Sequence, residues 1–301
     1  MKKYFILLVL LFIVASCQKD LCYDHSHVNS VEVVIHWDKA DSKLVNSMDI
    51  TMMSLENVTM NHHLNNLSGG KVESPSSLIR AFCYNADSDI NRFFLSSWEG
   101  AMVTTNETDL ISRSLYGGSL EYVPRGGGQD ETVRNQPTVL LADTCGLFNV
   151  KDRILTFHPQ DVLLYIDVVA TGVNNIGEVE VASAAISGMS SSMSMSYLDP
   201  SDDACTLPFD MEAKGDSIKG DVMSFGHCPS SLRTHILTLY VMLKNGAKVY
   251  YKYDVSSVLH KAYNNKHIRI NIDGLKIPNT KTEGFDPSID TWYEIKEKIE
   301  L

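Results

Sequence analysis

Apolar side chains recur at every second position through most of this chain, and that period limits the fold more than any single motif. Val31, Val33, Ile35 and Trp37 alternate with Glu32, Val34 and His36. Successive side chains of a strand point to opposite faces, so the alternation describes a half-buried strand. Met48–Leu55, Leu78–Tyr84 and Thr138–Asp143 are further short strands. Val162, Leu164, Ile166 and Val168 alternate with Leu163, Tyr165, Asp167 and Val169, and Val179–Ile186 follows. Leu237, Leu239, Val241 and Leu243 run into Asn245-Gly246, and Lys248–Tyr253 runs back. Asn-Gly between two such runs predicts a hairpin with a type I′ turn, positive in φ at both central residues. His267–Ile272 is a late strand. One short helix is expected from Asp254 through Ala262, with Val255, Val258, Leu259 and Ala262 on one face. Many short strands separated by turn residues predict an all-β protein built of β-sandwiches.

Length sets the number of units. The chain has 301 residues, and domains commonly hold ~100–150. The expected division is a leader at 1–16, a neck at 17–27, sandwiches at 28–150 and 151–280, and a tail at 281–301. Residues 105–137 carry Gly117-Gly118 and Pro124-Arg125-Gly126-Gly127-Gly128 and are expected to form a long exposed loop late in the first unit. Ser187–Ser196 alternates Met with Ser, which fits either a loop or a strand with its methionines inward. With 44% hydrophobic and 21% charged residues, chain-wide disorder is excluded. A formal net charge of −11 argues against nucleic acid as a partner, because phosphate binding needs clustered positive potential.

The first residues read as an export signal. Lys2-Lys3 precede an unbroken apolar run from Phe5 to Ala15, followed by Ser16 and Cys17. The run is shorter than the ~20 residues a spanning helix needs. Val14-Ala15-Ser16-Cys17 resembles the bacterial lipobox, which implies cleavage between Ser16 and Cys17 and acylation of Cys17, with palmitate among the chains. Several acyl chains on one residue give durable anchoring, since each buried CH₂ contributes ~0.8 kcal/mol. Aspartate directly after the cysteine, the usual inner-membrane retention signal, is absent. Gln18-Lys19-Asp20 is similar to the surface-export signals of Bacteroidota lipoproteins, so the expected location is the outer membrane, facing outward.

Of the six cysteines, Cys17 is assigned to lipid, leaving Cys22, Cys83, Cys145, Cys205 and Cys228, an odd number with no C-x-x-C spacing. Cys83, inside Leu78–Tyr84, reads as a small buried hydrophobe. One pair is open to bridging, and spacing does not choose it.

No catalytic set emerges. Cys22-Tyr23-Asp24-His25-Ser26-His27 contains zinc-ligand types, but zinc templates draw on at least two separated clusters, and nothing fixes His62-His63 beside it. Asp38, Asp41 and Asp49 lack the spacing of a calcium loop. No G-x-S-x-G elbow occurs, and neither Gly69-Gly70-Lys71 nor Gly126–Gly128 is a phosphate loop. Asp202-Asp203 reads as a solvated turn. No metal and no cofactor are therefore assigned. Asp216-Ser217-Ile218 is similar to a short O-glycosylation motif of exported Bacteroides proteins.

Taken together, several blocks resemble a family of Bacteroides surface lipoproteins related to the fimbrillins and fimbrial anchor proteins of type V pili. They are Cys17, Leu21–His27 with Val31–Trp37, Ala184–Met189, Met223–Gly226, Ile272–Pro278 and Gly284–Trp292. The resemblance implies two transthyretin-like, Greek-key β-sandwich domains in tandem. It also implies a non-catalytic role in assembling or anchoring a surface fibre, with other pilus subunits as partners. Polymerising pilins of this kind lose their lipid and first strand by cleavage after arginine, and a neighbour's strand fills the groove by β-strand addition. Here no arginine lies between Cys17 and Arg80. The strand carrying Val31, Val33, Ile35 and Trp37 is therefore expected to stay in place, as in an anchor or accessory adhesin subunit. Lys39 and Lys43 remain as other basic sites. The tail residues Phe285, Ile289, Trp292 and Ile295 pack on their own domain or are donated to a neighbour, with self-packing preferred. The competing reading is a surface glycan-binding lipoprotein of a nutrient-uptake system, with Trp98 near Tyr116 and Tyr122 as a sugar-stacking platform; either reading leaves room for a host or glycan ligand.

Overall fold

The computed structural model describes residues 29–108, 123–128, 131–227, 233–262, 265–279 and 292–296. In chain order the strands are β1 (Asn29–Ile35), β2 (Met48–Ser54), β3 (Thr59–Leu64), β4 (Gly69–Ser74), β5 (Leu78–Tyr84), β6 (Asn91–Phe94) and β7 (Met102–Thr105). Next come β8 (Thr132–Val133), β9 (Leu141–Asn149), β10 (Ile154–Phe157), β11 (Gln160–Asp161), β12 (Leu164–Thr171), β13 (Val179–Ser190) and β14 (Ser192–Ser194). The last group is β15 (Ala204–Lys214), β16 (Ser217–Ser224), β17 (Ile236–Leu243), β18 (Lys248–Asp254), helix α1 (Ser256–Lys261), β19 (His267–Asp273) and β20 (Trp292–Glu294).

The first sandwich stacks a sheet of order β10-β1-β4 on a sheet of order β11-β9-β5-β2-β3. Val31, Val33, Ile35, Leu155 and Phe157 of the smaller sheet meet Ile50, Met52, Ala81, Cys83 and Leu141 of the larger one in a single core. The larger sheet is apolar on its other face as well. Met53, Phe82, Tyr84 and Ala142 pack there with Trp98, Val103, Leu163, Met193 and Phe225. This is why β2 and β5 read as nearly continuous apolar runs: strands covered on both faces have no solvent side to mark with polar residues. A three-stranded sheet of order β14-β7-β6 takes strands from both halves of the chain and covers this second face.

The second sandwich is one sheet of order β19-β12-β16-β15-β13-β17-β18-β20, with β8 paired to β15. Its inward residues, among them Ile166, Val168, Ala184, Phe209, Val222, Leu239, Val249 and Ile270, form one cluster. The sheet therefore folds over on itself: β15 and β16 pair only at their tips, Glu212↔Lys219 to Lys214↔Ser217, and this hairpin joins the two layers. The parallel pair β12–β19 closes one end, in the register Val168↔Ile270. The chain is thus all-β, two sandwiches in tandem, with the expected short helix as α1, whose Leu259 is fully buried.

Several local expectations change. The β17–β18 hairpin forms, but positive φ is confined to Gly246 (φ 89). Gly246 N donates to the Leu243 carbonyl and Leu243 N donates to Ala247 O. That is a three-residue loop, a type I turn closed by a left-handed glycine, rather than a type I′ turn. The Asn245 side chain accepts from Ala247 N, which holds the turn without left-handed φ at Asn245. The Met-Ser stretch is strand through Ser190 and again over Ser192–Ser194, with Met189 and Met193 buried there and Met195 buried in the turn that follows. Parts of the expected central loop are docked: Val123 and Val133 are buried against Ala185 and Tyr240. Two strands past residue 150, β10 and β11, pair back onto the first sandwich. Of the tail, β20 pairs in parallel with β18 and Trp292 meets the edge of Tyr240, so that portion packs on its own unit; Phe285 and Ile289 lie outside the described residues.

Phe82 is fully buried and stacks on Trp98 with ring centroids 4.8 Å apart. Phe82→Ala is expected to cost about 3–5 kcal/mol of stability. Phe94→Ala, at a position 55% exposed, should stay within about 0.5 kcal/mol. Urea unfolding of both variants reads the difference; equal midpoints would show that the outer face of the five-stranded sheet is not a packed core.

Candidate functional site

The first candidate is the groove that β1 fills. The strand has partners on both edges: it is antiparallel to β4, with Val31↔Val72, and parallel to β10, with Val33↔Leu155. Glu32 N donates to Arg153 O at 2.8 Å, and His36 N donates to Phe157 O at 2.9 Å. Val31, Val33 and Ile35 point into the core and are at most 5% exposed. Trp37 lies just beyond the strand, partly buried on the same cluster, and its indole Nε1 donates to the Leu67 carbonyl at 2.6 Å. The four residues singled out by alternation are thus brought together, three as a core row and the fourth as an anchor past the strand end. His158 Nδ1 lies 2.8 Å from Asp38 Oδ1, and that hydrogen bond holds the carboxyl below its ordinary pKa.

Other sequence candidates are scattered. Asp41 accepts from Lys43 N, and Asp49 pairs with His63 at 2.7 Å. With Asp38 on His158, the three aspartates do not converge as a calcium site. His62 faces the Glu73 carbonyl. Trp98 is buried, stacked on Phe82 with Arg80 over its ring, so it is not an exposed sugar platform. Tyr116, Tyr122, Ser16, Cys17, the Cys22–His27 segment and Cys228 lie outside the described residues. Ser217 is buried and its hydroxyl donates to the Lys214 carbonyl. Cys83 is a buried thiol whose pKa burial pushes well up, as expected of a structural cysteine. Cys145 sits on the neighbouring strand across from Ala81, and Cys205 is in the second core.

The structure adds one cluster that spacing did not suggest. His227, after β16, His235, before β17, and His260, on α1, bring their ring nitrogens within 4.8 Å of one another. His235 is fully buried and His227 nearly so. His235 Nε2 lies 3.2 Å from His260 Nε2. Its other nitrogen, Nδ1, faces the Ser187 carbonyl at 3.3 Å. Burial, and then the neighbouring imidazoles, lowers the His235 pKa to about 4, so this ring is neutral at physiological pH. The three residues lie 8 and 25 positions apart in sequence, a spacing that no ligand template contains, and only the folded-over sheet joins them.

These observations define a class: an all-β protein of two tandem sandwiches. Residues 1–18 match the prokaryotic membrane lipoprotein lipid attachment site. Residues 16–210 match the family described as a domain of unknown function, DUF5119, and the chain belongs to that family. No curated protein matches it. Among solved structures, the fold is similar to a candidate adhesin from Bacteroides ovatus ATCC 8483, with TM-score 0.64, 14% identity and coverage of 90% of this chain and 93% of the other. It is also similar to the fimbrial anchor protein Mfa2 from Porphyromonas gingivalis, with TM-score 0.51, 10% identity and coverage of 81% and 90%. A candidate polysaccharide-binding protein from Bacteroides thetaiotaomicron VPI-5482 gives TM-score 0.50, 11% identity and coverage of 81% and 90%. At these identities the likeness is one of fold.

Trp37→Phe keeps an aromatic ring on the core and removes the indole donor to Leu67. The expected cost is about 1 kcal/mol, the net worth of a typical hydrogen bond. Chemical denaturation reads it, and an unchanged midpoint would show that Trp37 does not pin the end of β1.

Proposed function

We propose that this protein is a non-catalytic subunit of a surface fimbria, held in the outer membrane through lipid on Cys17, and that it acts as an anchor or accessory adhesin rather than a polymerising shaft pilin. The observation that carries the reading is β1 itself, a central strand with both edges paired, in a chain with no arginine between Cys17 and Arg80. A shaft pilin must release this strand so that a neighbour's can enter. Here the sequence offers no arginine at which to release it, and three buried aliphatic side chains hold it. Each contributes on the order of 1.5–3 kcal/mol relative to exposure.

The lipoprotein attachment match and the folds of the adhesin and anchor neighbours support this reading. They also favour a binding or assembly role over an enzyme. Burial of Trp98 weakens the competing glycan-binding reading, because its proposed stacking face is covered by Phe82. Other fimbrial subunits are the proposed partners, and the reading leaves room for a host or glycan ligand. No nucleic acid is expected to bind.

Two measurements test the proposal in cells. Cys17→Ala should abolish incorporation of a clickable fatty acid and release the protein from the membrane fraction; equal label on the variant would remove the anchor. Mass mapping of the N-terminal peptide of the wild-type lipidated protein taken from cells should place the mature start at Cys17. A start beyond residue 38 would mean that β1 is removed and would assign the protein to the polymerising pilins.

A further inference from the structure

The proposed fimbrial role makes no use of the histidine cluster in the second sandwich, and three adjacent imidazoles, two of them buried, need a physical account. Ring nitrogens are polar, and polar groups left unpaired in an apolar interior are costly. His235 meets that demand on one side, with Nδ1 facing the Ser187 carbonyl at 3.3 Å. A backbone carbonyl accepts and cannot donate, so the proton belongs on Nδ1 and the Nε2 lone pair points away from it. That lone pair is directed at His260 Nε2, 3.2 Å away. A ligating histidine with its second N–H held by a carbonyl is the usual outer-shell arrangement of a metal site.

The distances agree with one ion. Two imidazole nitrogens on a tetrahedral zinc, each ~2.0–2.1 Å from it, lie about 3.3 Å apart. His235 and His260 are at 3.2 Å, and His227 completes a group within 4.8 Å. The rings also turn different edges to a common centre: His235 is inclined at 83° to His227 and at 76° to His260. Stacked rings would direct their lone pairs in parallel; these rings are inclined, with one ligand nitrogen of each within 4.8 Å of the others.

The surroundings hold this geometry. His235 N donates to Ser256 Oγ at 2.8 Å, and the Ser256 backbone N–H donates to Asp254 Oδ1 at 3.0 Å, which ties the start of α1 to the residue before β17. The Asp254 carboxylate also attracts charge on His235 and His260, a favourable field for a cation, while Arg233 opposes charge on His235. Gly188 leaves room for the ring: a Cβ there would lie 2.8 Å from His235 Nδ1 and 2.6 Å from the Thr234 carbonyl, at a φ of +76 that disfavours other residues. His227 also lines a cleft of about 250 Å³ together with Phe225, Asn265 and Lys266.

We propose that His227, His235 and His260 form a three-histidine site for a divalent transition metal, zinc by ligand type, that clamps α1 to the loops flanking β16 and β17. Three neutral imidazoles suit zinc, with water from the adjoining cleft as the fourth ligand.

The test uses residues 18–301, which retain every described residue, purified without a polyhistidine tag and stripped with chelator. Zinc chloride should bind at one ion per chain by calorimetry and raise the thermal midpoint, and cobalt chloride should give the intense visible bands of a four-coordinate ion. His260→Ala, on the half-buried helix, should still fold by circular dichroism. Its zinc affinity should fall by at least ~100-fold, beyond the loss typical of an outer-shell partner. His227→Ala serves as the second variant and should do the same. Failure of the unmutated protein to take up a stoichiometric ion would overturn the site. Undiminished binding in both variants would place the metal on other residues and overturn it equally. Neither result bears on lipidation or on retention of β1.

Discussion

The first sandwich depends on one insertion: Asn29–Ile35 lies between β4 and β10 and is hydrogen-bonded along both edges. Remove it and two strands acquire unpaired edges, while Met48, Ile50 and Met52 of the facing sheet lose the Val31-Val33-Ile35 row that covers them. Such an edge above an apolar floor is a template for a foreign strand. The same geometry that makes a retained β1 stabilising would make a released β1 a polymerisation device. What separates the two is proteolytic access, and here the nearest arginine after Cys17 is Arg80, inside buried β5.

That arrangement also bears on load. On the anchor reading, tension enters through the lipid and reaches β1 before any other described element. Ladder hydrogen bonds run across the strand direction, so a pull along β1 loads both ladders together rather than peeling one bond at a time. Trp37, fastened to Leu67, and Asp38, fastened to His158, lie beyond the far end of the strand and resist its withdrawal. The second apolar face of the larger sheet, packed on residues 193–195 and Phe225, passes this constraint into the second sandwich.

Period two is legible wherever one face meets solvent, which is why β1 and β12 appear in the sequence within two residues of their observed bounds. It was less informative where a strand is covered on both sides. In Ala182–Ser190 consecutive residues are all buried, with Ala182, Ala184 and Ile186 in the main core and Ala185 against the segment that carries Val123 and Val133. Trp98 misleads for a related reason: an isolated tryptophan in a polar stretch looks exposed, and only the fold stacks it on Phe82 in a cluster with Val103 and Met193. The Asn-Gly hairpin was correctly placed, yet its turn type followed from the side chain of Asn245, which supports the backbone without a left-handed φ. The residues of β1 were found because they are contiguous. The histidines were not, because their proximity is created by a sheet that folds back at the β15–β16 hairpin.

The cost of burying His235 explains local features that would otherwise look unrelated. The β13–β15 register shifts between Ile186 and Met189, and this irregularity contains Ser187, whose carbonyl faces His235, and Gly188, which has no side chain to meet the ring. Bulges of this kind re-aim a strand where a site requires it. Ser187 also accepts from Ile236 N through its hydroxyl, so the residue that orients the imidazole fixes the start of β17 as well. The glycine is also required by the Thr234 carbonyl, 2.6 Å from where a Cβ would lie, and by its φ of +76. The backbone around β13 is shaped for an imidazole with a defined tautomer, and a defined tautomer matters most where the other nitrogen has a ligand to bind.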